Sequence, residues 1–315
     1  MNNKVETGIA VKKRRLALSE KMKRELPLHM MLLPAVIIVL IFVYVPMAGI
    51  VIAFQNYSPA LGILKSGWIG FDNFTYIFGM QDFGRVLWNT FYIAFLKIVM
   101  NLACPVILAI LMNELKNVGM KKCVQTVVYL PHFLSWVILS GVLVDILSPS
   151  EGIVNKVITM FGGDPIFFLG NEKIFPYVIV ITNTWKEVGW QTIIYLAAIS
   201  GIDPTLYEAA IMDGAGRFRQ VINITIPCIM GTIILLLVLS LGSILNAGFD
   251  QIFNLYSPQV YATGDIIDTM VYRLGLVDAQ FGPSTAMGLF KSVISLIFVV
   301  ASYYLADKWA GYRVF

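Results

Sequence analysis

Charge is scarce in this chain. Asp, Glu, Lys and Arg make up 13% of its residues, against ~25% in soluble domains, which argues against a protein whose whole surface meets water. Histidine occurs twice and cysteine three times. Cys104, Cys123 and Cys228 lie in or beside apolar runs without paired spacing, so neither a disulfide framework nor a Cys/His metal site is indicated. There is no Gly-Lys dipeptide, which excludes a Walker A loop, and Gly214-Ala215-Gly216 lacks the third glycine and the preceding strand of a dinucleotide site. The expectation is a chain that is not an enzyme and holds no nucleotide, cofactor or metal of its own. Internal repeats and low-complexity tracts are also missing.

What is abundant is apolar surface: 58% of the 315 residues are hydrophobic, with a mean hydropathy of +0.77. That composition specifies an integral membrane protein. Residues 1–27 form a basic tail, and 28–315 a membrane domain. Apolar runs of spanning length fall at about 30–54, 87–112, 123–147, 174–200, 229–249 and 285–305. The first is too long for a signal-peptide core of ~7–15 residues. The expected fold is all-α with six transmembrane helices.

Six spans place both termini on one side, and lysine and arginine decide which. The tail, the second connection (Lys116, Lys121, Lys122), the fourth (Arg217, Arg219) and the C-terminus (Lys308, Arg313) hold fifteen, against five on the other side at Lys65, Arg85, Lys156, Lys173 and Arg273. The positive-inside rule then puts both termini and the island at 201–228 in the cytoplasm. Membrane orientation explains the net charge of +4 better than nucleic acid does.

That island separates two apolar runs and reads Tyr207-Glu208-Ala209-Ala210-Ile211-Met212-Asp213-Gly214-Ala215 before reaching Pro227. Asp203 can cap a helix beginning at Pro204, where the missing N–H costs nothing. Gly214 permits a reversal with φ > 0. Phe218, Val221, Ile222 and Thr225 then share one face of a second short helix expected to stop before Pro227. The pattern Glu208-Ala209-Ala210, Asp213-Gly214-Ala215 and Pro227 resembles the EAA loop of permease subunits of ATP-binding cassette importers. Further segments are similar to the carbohydrate branch of that family, closest to its oligosaccharide and complex-polysaccharide permeases: Tyr44-Val45-Pro46-Met47-Ala48-Gly49, Leu130-Pro131-His132-Phe133 with Ser135-Trp136, and Trp185-Lys186-Glu187-Val188-Gly189-Trp190.

The resemblance implies a second homologous permease subunit, two cytoplasmic ATPase subunits holding ATP and Mg, and an extracytoplasmic substrate-binding protein. It also implies a bacterial cytoplasmic membrane and an oligosaccharide or polysaccharide fragment as solute. Two other readings stay open: a permease for glycerol phosphate, polyamines or amino acids, and an ion-coupled carrier working without ATPase subunits.

In the fourth run Asn183, Lys186, Glu187 and Trp190 follow helical i, i+3, i+4, i+7 spacing and make a polar stripe expected to face an aqueous path. Charges near the bilayer centre cost ~2.5–3.5 kcal/mol on insertion scales, so they usually face a cavity or a partner. Lys186 and Glu187, adjacent in sequence, each need another partner, and Lys97 and Lys291 are candidates for Glu187. His132 reads as a packed, hydrogen-bonded residue more than a ligand contact. Aromatic rings suit the C–H face of a sugar, which adds Trp185, Phe133 and Phe249, with the amide of Asn246, to the candidate lining.

Overall fold

The computed structural model describes residues 25–310, so the basic residues 4–24 and the C-terminal residues 311–315 lie outside the described residues. Helix dominates, with one two-stranded antiparallel hairpin pairing Gln55–Asn56 with Gly67–Trp68. Among the described residues, four helices are long and apolar enough to cross a membrane: Glu25–Phe54, Phe83–Asn113, Arg217–Leu241 and Phe281–Tyr304. A fifth crossing is possible if the bent pair Val118–Phe133 and Trp136–Ile146 counts as one. The Phe175–Ser200 helix has 26 residues, ample length, but its polar middle keeps it out of the apolar set.

The 123–147 run is not one straight helix. Its two halves meet at 108°. Pro131 stands at the start of a 3-10 turn spanning Leu130–Phe133, and Leu134 is extended. Ser135 then caps a new helix, its hydroxyl accepting from the Ile138 N–H at 3.3 Å. A proline that cannot donate and a serine that prefers the cap position break the helix where hydropathy alone reads continuity.

The 229–249 run is displaced as well. The helix begins at Arg217, inside the island, and continues through Pro227 to Leu241. The expectation that it would stop before Pro227 is therefore corrected. A π-helical turn at Val221–Thr225 precedes that proline, as another at Leu40–Tyr44 precedes Pro46. The wider turn makes room for a ring that would otherwise clash with the preceding carbonyls. Beyond Leu241 the chain turns through Gly242–Gly248 and starts the short helix Phe249–Leu255, in which Gln251 and Ile252 are fully buried.

Two cores meet near one end of the molecule. Ile93, Leu139, Phe175, Ile179, Ile252 and Ile266 form one, and Ala53, Ile77, Val86, Ile267, Met270 and Met287 the other. A third, of Ala109, Tyr195, Ile199 and Ile229, ties the helices at the opposite end. The Glu25–Phe54 helix leaves its most apolar stretch entirely uncovered by the rest of the chain.

The Phe175–Ser200 helix lies very close to Val118–Tyr129 at Gly189. A Cβ there would come within 2.2 Å of the Val128 carbonyl oxygen and 3.0 Å of the Tyr129 ring. Only a residue without a side chain permits that approach. Gly189→Val should force the helices apart at a cost of about 1–3 kcal/mol or more, and fluorescence-detected size exclusion should find less folded protein; full recovery at an unchanged melting temperature would contradict the packing.

Candidate functional site

The break between the two halves of the bent pair leaves backbone groups without helical partners, and the Phe175–Ser200 helix supplies them. Lys186, with its side chain buried, donates from Nζ to the His132 carbonyl at 2.7 Å. Glu187 Oε2 meets His132 Nδ1 at 2.9 Å while its Oε1 lies 3.5 Å from Lys186 Nζ. The His132 ring stacks on Trp190 with centroids 4.8 Å apart and planes 3° from parallel, and Phe133 meets Trp190 edge-on. Lys186 also sits 5.6 Å from the centre of the Trp136 ring. In an apolar medium a carbonyl freed by a helix break must find a donor, and this lysine is that donor.

A second clamp holds the turn after Leu241. Lys97 Nζ donates at 2.6 Å to both the Ala247 carbonyl and Gln251 Oε1, and Gln251 Nε2 donates onward at 2.8 Å to the Ile179 carbonyl and Thr182 hydroxyl. Between the clamps lies a polar cavity of about 490 Å³, lined by Lys97, Asn101, Asn183, Glu187, Ser243 and Asn246 among others. Asn101 Nδ2 donates to Asn183 Oδ1 at 3.0 Å, while Asn101 Oδ1 is buried with no partner. The cavity offers amide, hydroxyl and carboxylate groups, which suits a hydroxyl-rich solute.

The expected single stripe splits into two rows. Asn183 and Glu187 line the cavity, joined by Gln191 one turn on and by Asn246 from the turn opposite. Lys186 and Trp190 belong to the next row, with Lys186 turned to His132 and Trp190 half exposed beside the exposed Phe133. Trp185 is exposed and does not border the cavity, and Phe249 packs on Phe253 and Tyr272 instead. Neither candidate lysine bonds Glu187: Lys97 shares its cavity but is taken by Ala247 and Gln251, and Lys291 pairs with Asp268 at 2.5 Å. The partners of Glu187 are the adjacent Lys186, which helical spacing argued against, and His132. Gln191 was within reach of the i, i+4, i+8 pattern. Gln251 carried no periodic signal.

The island at 201–216 is built as its residues suggest. Asp203 caps the Pro204–Met212 helix by accepting the Thr205 N–H at 2.9 Å, and that amide, helped by the Thr205 side chain, holds its carboxyl below the usual range. Gly214 reverses the chain at φ 77°, and the Ala215 N–H closes the helix end on the Ala210 carbonyl at 2.8 Å. Glu208, Ala209, Asp213 and Pro227 are exposed, with Ala210 and Ala215 partly covered. Ile211, Met212 and Phe218 are 62%, 87% and 78% exposed, an apolar patch at a chain reversal. Arg217 pairs with Glu114 at 3.1 Å, tying the island to the end of the Phe83–Asn113 helix, and Tyr207 bonds Thr225 at 2.9 Å. Among the described residues no group of three or more His, Cys, Asp and Glu could hold a metal ion.

A family model described as "Binding-protein-dependent transport system inner membrane component" matches residues 101–311. The polygalacturonan/rhamnogalacturonan transport system permease protein YteP of Bacillus subtilis (strain 168) is 44% identical over 305 residues, covering 97% of this chain and 95% of that one. Among solved structures, a bacterial ABC transporter involved in the import of the acidic polysaccharide alginate contains a chain 42% identical. It aligns with TM-score 0.86 over 93% of this chain and 99% of that one. A second structure of a bacterial alginate transporter, in complex with an alginate pentasaccharide-bound periplasmic protein, aligns with TM-score 0.84 at 42% identity, covering 92% and 96%.

The first clamp makes a stability prediction. Lys186→Met removes the donor to the His132 carbonyl and leaves Glu187 with His132 alone, a loss of about 3–5 kcal/mol for a broken buried pair, discounted because Glu187 is partly exposed. Lys186→Met should give markedly less folded protein than Glu187→Gln, which keeps shape and hydrogen-bonding capacity. Equal recovery of the two in detergent would show that the lysine does not hold the break.

Proposed function

We infer function from one established fact: this chain belongs to the family of binding-protein-dependent transport system inner membrane components. It is a multi-pass permease subunit of a bacterial ABC importer. We propose that its solute is an oligosaccharide or polysaccharide fragment, and the polar cavity at Asn183, Glu187 and Asn246 is the observation that carries this reading. The names of the relatives support the same class, since YteP and the alginate importers handle polysaccharide-derived solutes.

In this reading the chain pairs with a second homologous permease. Two ATPase subunits, holding ATP and Mg, dock on the cytoplasmic island, and an extracytoplasmic binding protein delivers the solute. Both termini face the cytoplasm, and hydrolysis takes place in the partners. Glu208, Ala209, Ala210, Asp213, Gly214, Ala215 and Pro227 form the coupling loop, with Ile211, Met212 and Phe218 as its apolar contact. The substrate path runs past Asn183, Glu187 and Asn246, while Trp190 and Phe133 offer ring faces beside it. Coupling requires that the ATPase dimer contact the loop differently in its open and closed states.

Uptake of labelled oligosaccharide by cells carrying the reconstituted system, alongside ATPase measurements on the purified assembly, tests both parts. Gly214→Val places a β-branched residue at φ 77°, at a local cost of about 1–3 kcal/mol. It should abolish uptake and substrate-stimulated ATPase activity at normal membrane abundance. Asn183→Ala removes one hydrogen-bonding amide, worth about 1 kcal/mol or roughly fivefold. It should weaken sugar stimulation and alter the preference between saccharides while the assembly stays intact. Normal uptake by the Gly214→Val protein would remove the loop from the coupling step, and unchanged sugar preference in Asn183→Ala would place the path elsewhere.

A further inference from the structure

The connection between the Trp136–Ile146 and Phe175–Ser200 helices holds a short helix, Ile153–Met160, at the end of the molecule opposite the coupling loop. Hydrogen bonds fix that placement. Asn89, in the second turn of the Phe83–Asn113 helix, donates to the Ala262 carbonyl at 3.1 Å, and Thr263 donates to the Glu172 carbonyl at 2.6 Å, just before the Phe175–Ser200 helix begins. The far end of the Phe83–Asn113 helix leads instead to Glu114 and its partner Arg217 in the loop.

This short helix is amphipathic in the reverse sense to a helix in a water-facing loop. Its amide points inward: Asn155 is buried, donating to the Ser148 and Ile166 carbonyls at 2.9 and 3.0 Å and accepting the Ile166 N–H at 2.8 Å. Those three bonds hold the helix against rolling. Ile153, Val157, Met160 and Phe161, spaced i, i+4, i+7, i+8, therefore share one outward face, and they are 67%, 49%, 85% and 85% exposed.

Where that face sits decides what covers it. Gly152 brings the start of the helix hard against the end of the preceding one, since a Cβ there would come within 2.5 Å of the Ile146 and Ser148 carbonyl oxygens. Ile153 borders the same cavity as Asp145 and Ile146, and Asp145 lies on the exposed face of Trp136–Ile146 that carries Val137, Ile138 and Val142. The outward face thus continues an uncovered apolar surface of the bent pair, and it begins at the level where a crossing segment would leave the bilayer. The helix carries one charge, Lys156, exposed on the flank of the apolar face and without a side-chain partner among the described residues. No Asp or Glu occurs in 153–163. A lone ammonium at the margin of an apolar arc is the arrangement that meets phosphate on one side and acyl chains on the other.

We propose that residues 153–161 are an interfacial anchor lying in the plane of the membrane surface, with Ile153, Val157, Met160 and Phe161 among the acyl chains and Lys156 at the phospholipid phosphates. The anchor goes beyond the transport assignment and involves no residue of the coupling loop or of the central cavity.

The test uses the assembled importer with Cys104, Cys123 and Cys228 replaced by alanine, reconstituted in nanodiscs of phosphatidylethanolamine and phosphatidylglycerol. One nitroxide label is placed through Val157→Cys, Met160→Cys or Thr159→Cys. Power-saturation EPR reads collisions with oxygen, which concentrates among acyl chains, and with a water-soluble nickel chelate. The labels at 157 and 160 should meet oxygen and be shielded from nickel, at a depth of about 5–10 Å below the headgroups. The label at Thr159, exposed on the opposite side of the helix, should favour nickel. Adding the extracytoplasmic binding protein should leave the depths unchanged.

Nickel access at 157 and 160 equal to that at 159 would place the face in water and overturn the proposal. Shielding from both reagents would mean that the second permease covers it, and loss of oxygen access on adding the binding protein would make it a docking surface for that protein. Each of these outcomes rejects the anchor and leaves the transport assignment untouched. Val157→Cys and Met160→Cys report independently, so if one variant fails to assemble the other decides.

Discussion

Backbone groups freed at helix breaks within an apolar medium must be given partners, and several of the buried polar side chains here serve that need. Lys186 bonds the His132 carbonyl and Lys97 the Ala247 carbonyl. Asn89 bonds the carbonyls of Ala262 and Asp265, and Asn73 those of Ala53 and Gln55. Each of these links a long helix, or the short one holding Asn73, to a place where another segment turns or breaks. Water cannot do this work in lipid, where an unpaired backbone group costs several kcal/mol. The burial of Lys97 and Lys186 is therefore explained by the backbone they serve.

This use of lysine shapes the central cavity. The ammonium groups of Lys97 and Lys186 already donate to main-chain carbonyls, so those hydrogen bonds are not on offer to a solute. What remains facing it is largely Asn183, Asn246, Ser243, Gln191 and one edge of Glu187. Hydroxyl-reading groups on a scaffold fixed by lysines give a site whose polarity is independent of a bound counter-ion, and whose geometry survives only while the breaks stay clamped.

The sequence makes the long helices easy to read, because largely apolar runs that fold into helices of 26 and 31 residues leave few alternatives. The first half of the island was equally legible, since Asp203, Pro204 and Gly214 each have one structural job. The breaks were harder. Hydropathy averages over Pro131 and Ser135, yet the cap and the missing N–H turn the chain by 108°. The partners of Glu187 were missed for a similar reason. Helical spacing describes neighbours on one cylinder, whereas His132 arrives from another segment and Lys186 bends back to the same corner. Gln251 is a lone amide in a run that reads as an exterior connection, and only the tertiary structure reveals that it is fully buried between three segments.

The continuity of the Arg217–Leu241 helix changes how the loop and the cavity relate. Its 25 residues correspond to a rod of roughly 37 Å at 1.5 Å per residue. One end carries Arg217 and Phe218 in the exposed island, and the other carries Ser240, immediately before the turn that bears Ser243 and Asn246 at the cavity wall. A loop hinged at a proline could absorb displacement locally. Here a π turn carries the helix past the proline, so the island and the cavity turn sit at the two ends of one helix. The far end is not free either, because Lys97 and Gln251 pin the turn to the Phe83–Asn113 and Phe175–Ser200 helices. Motion of the rod must therefore either carry those helices with it or break that clamp, and both outcomes change the walls against which a solute would rest.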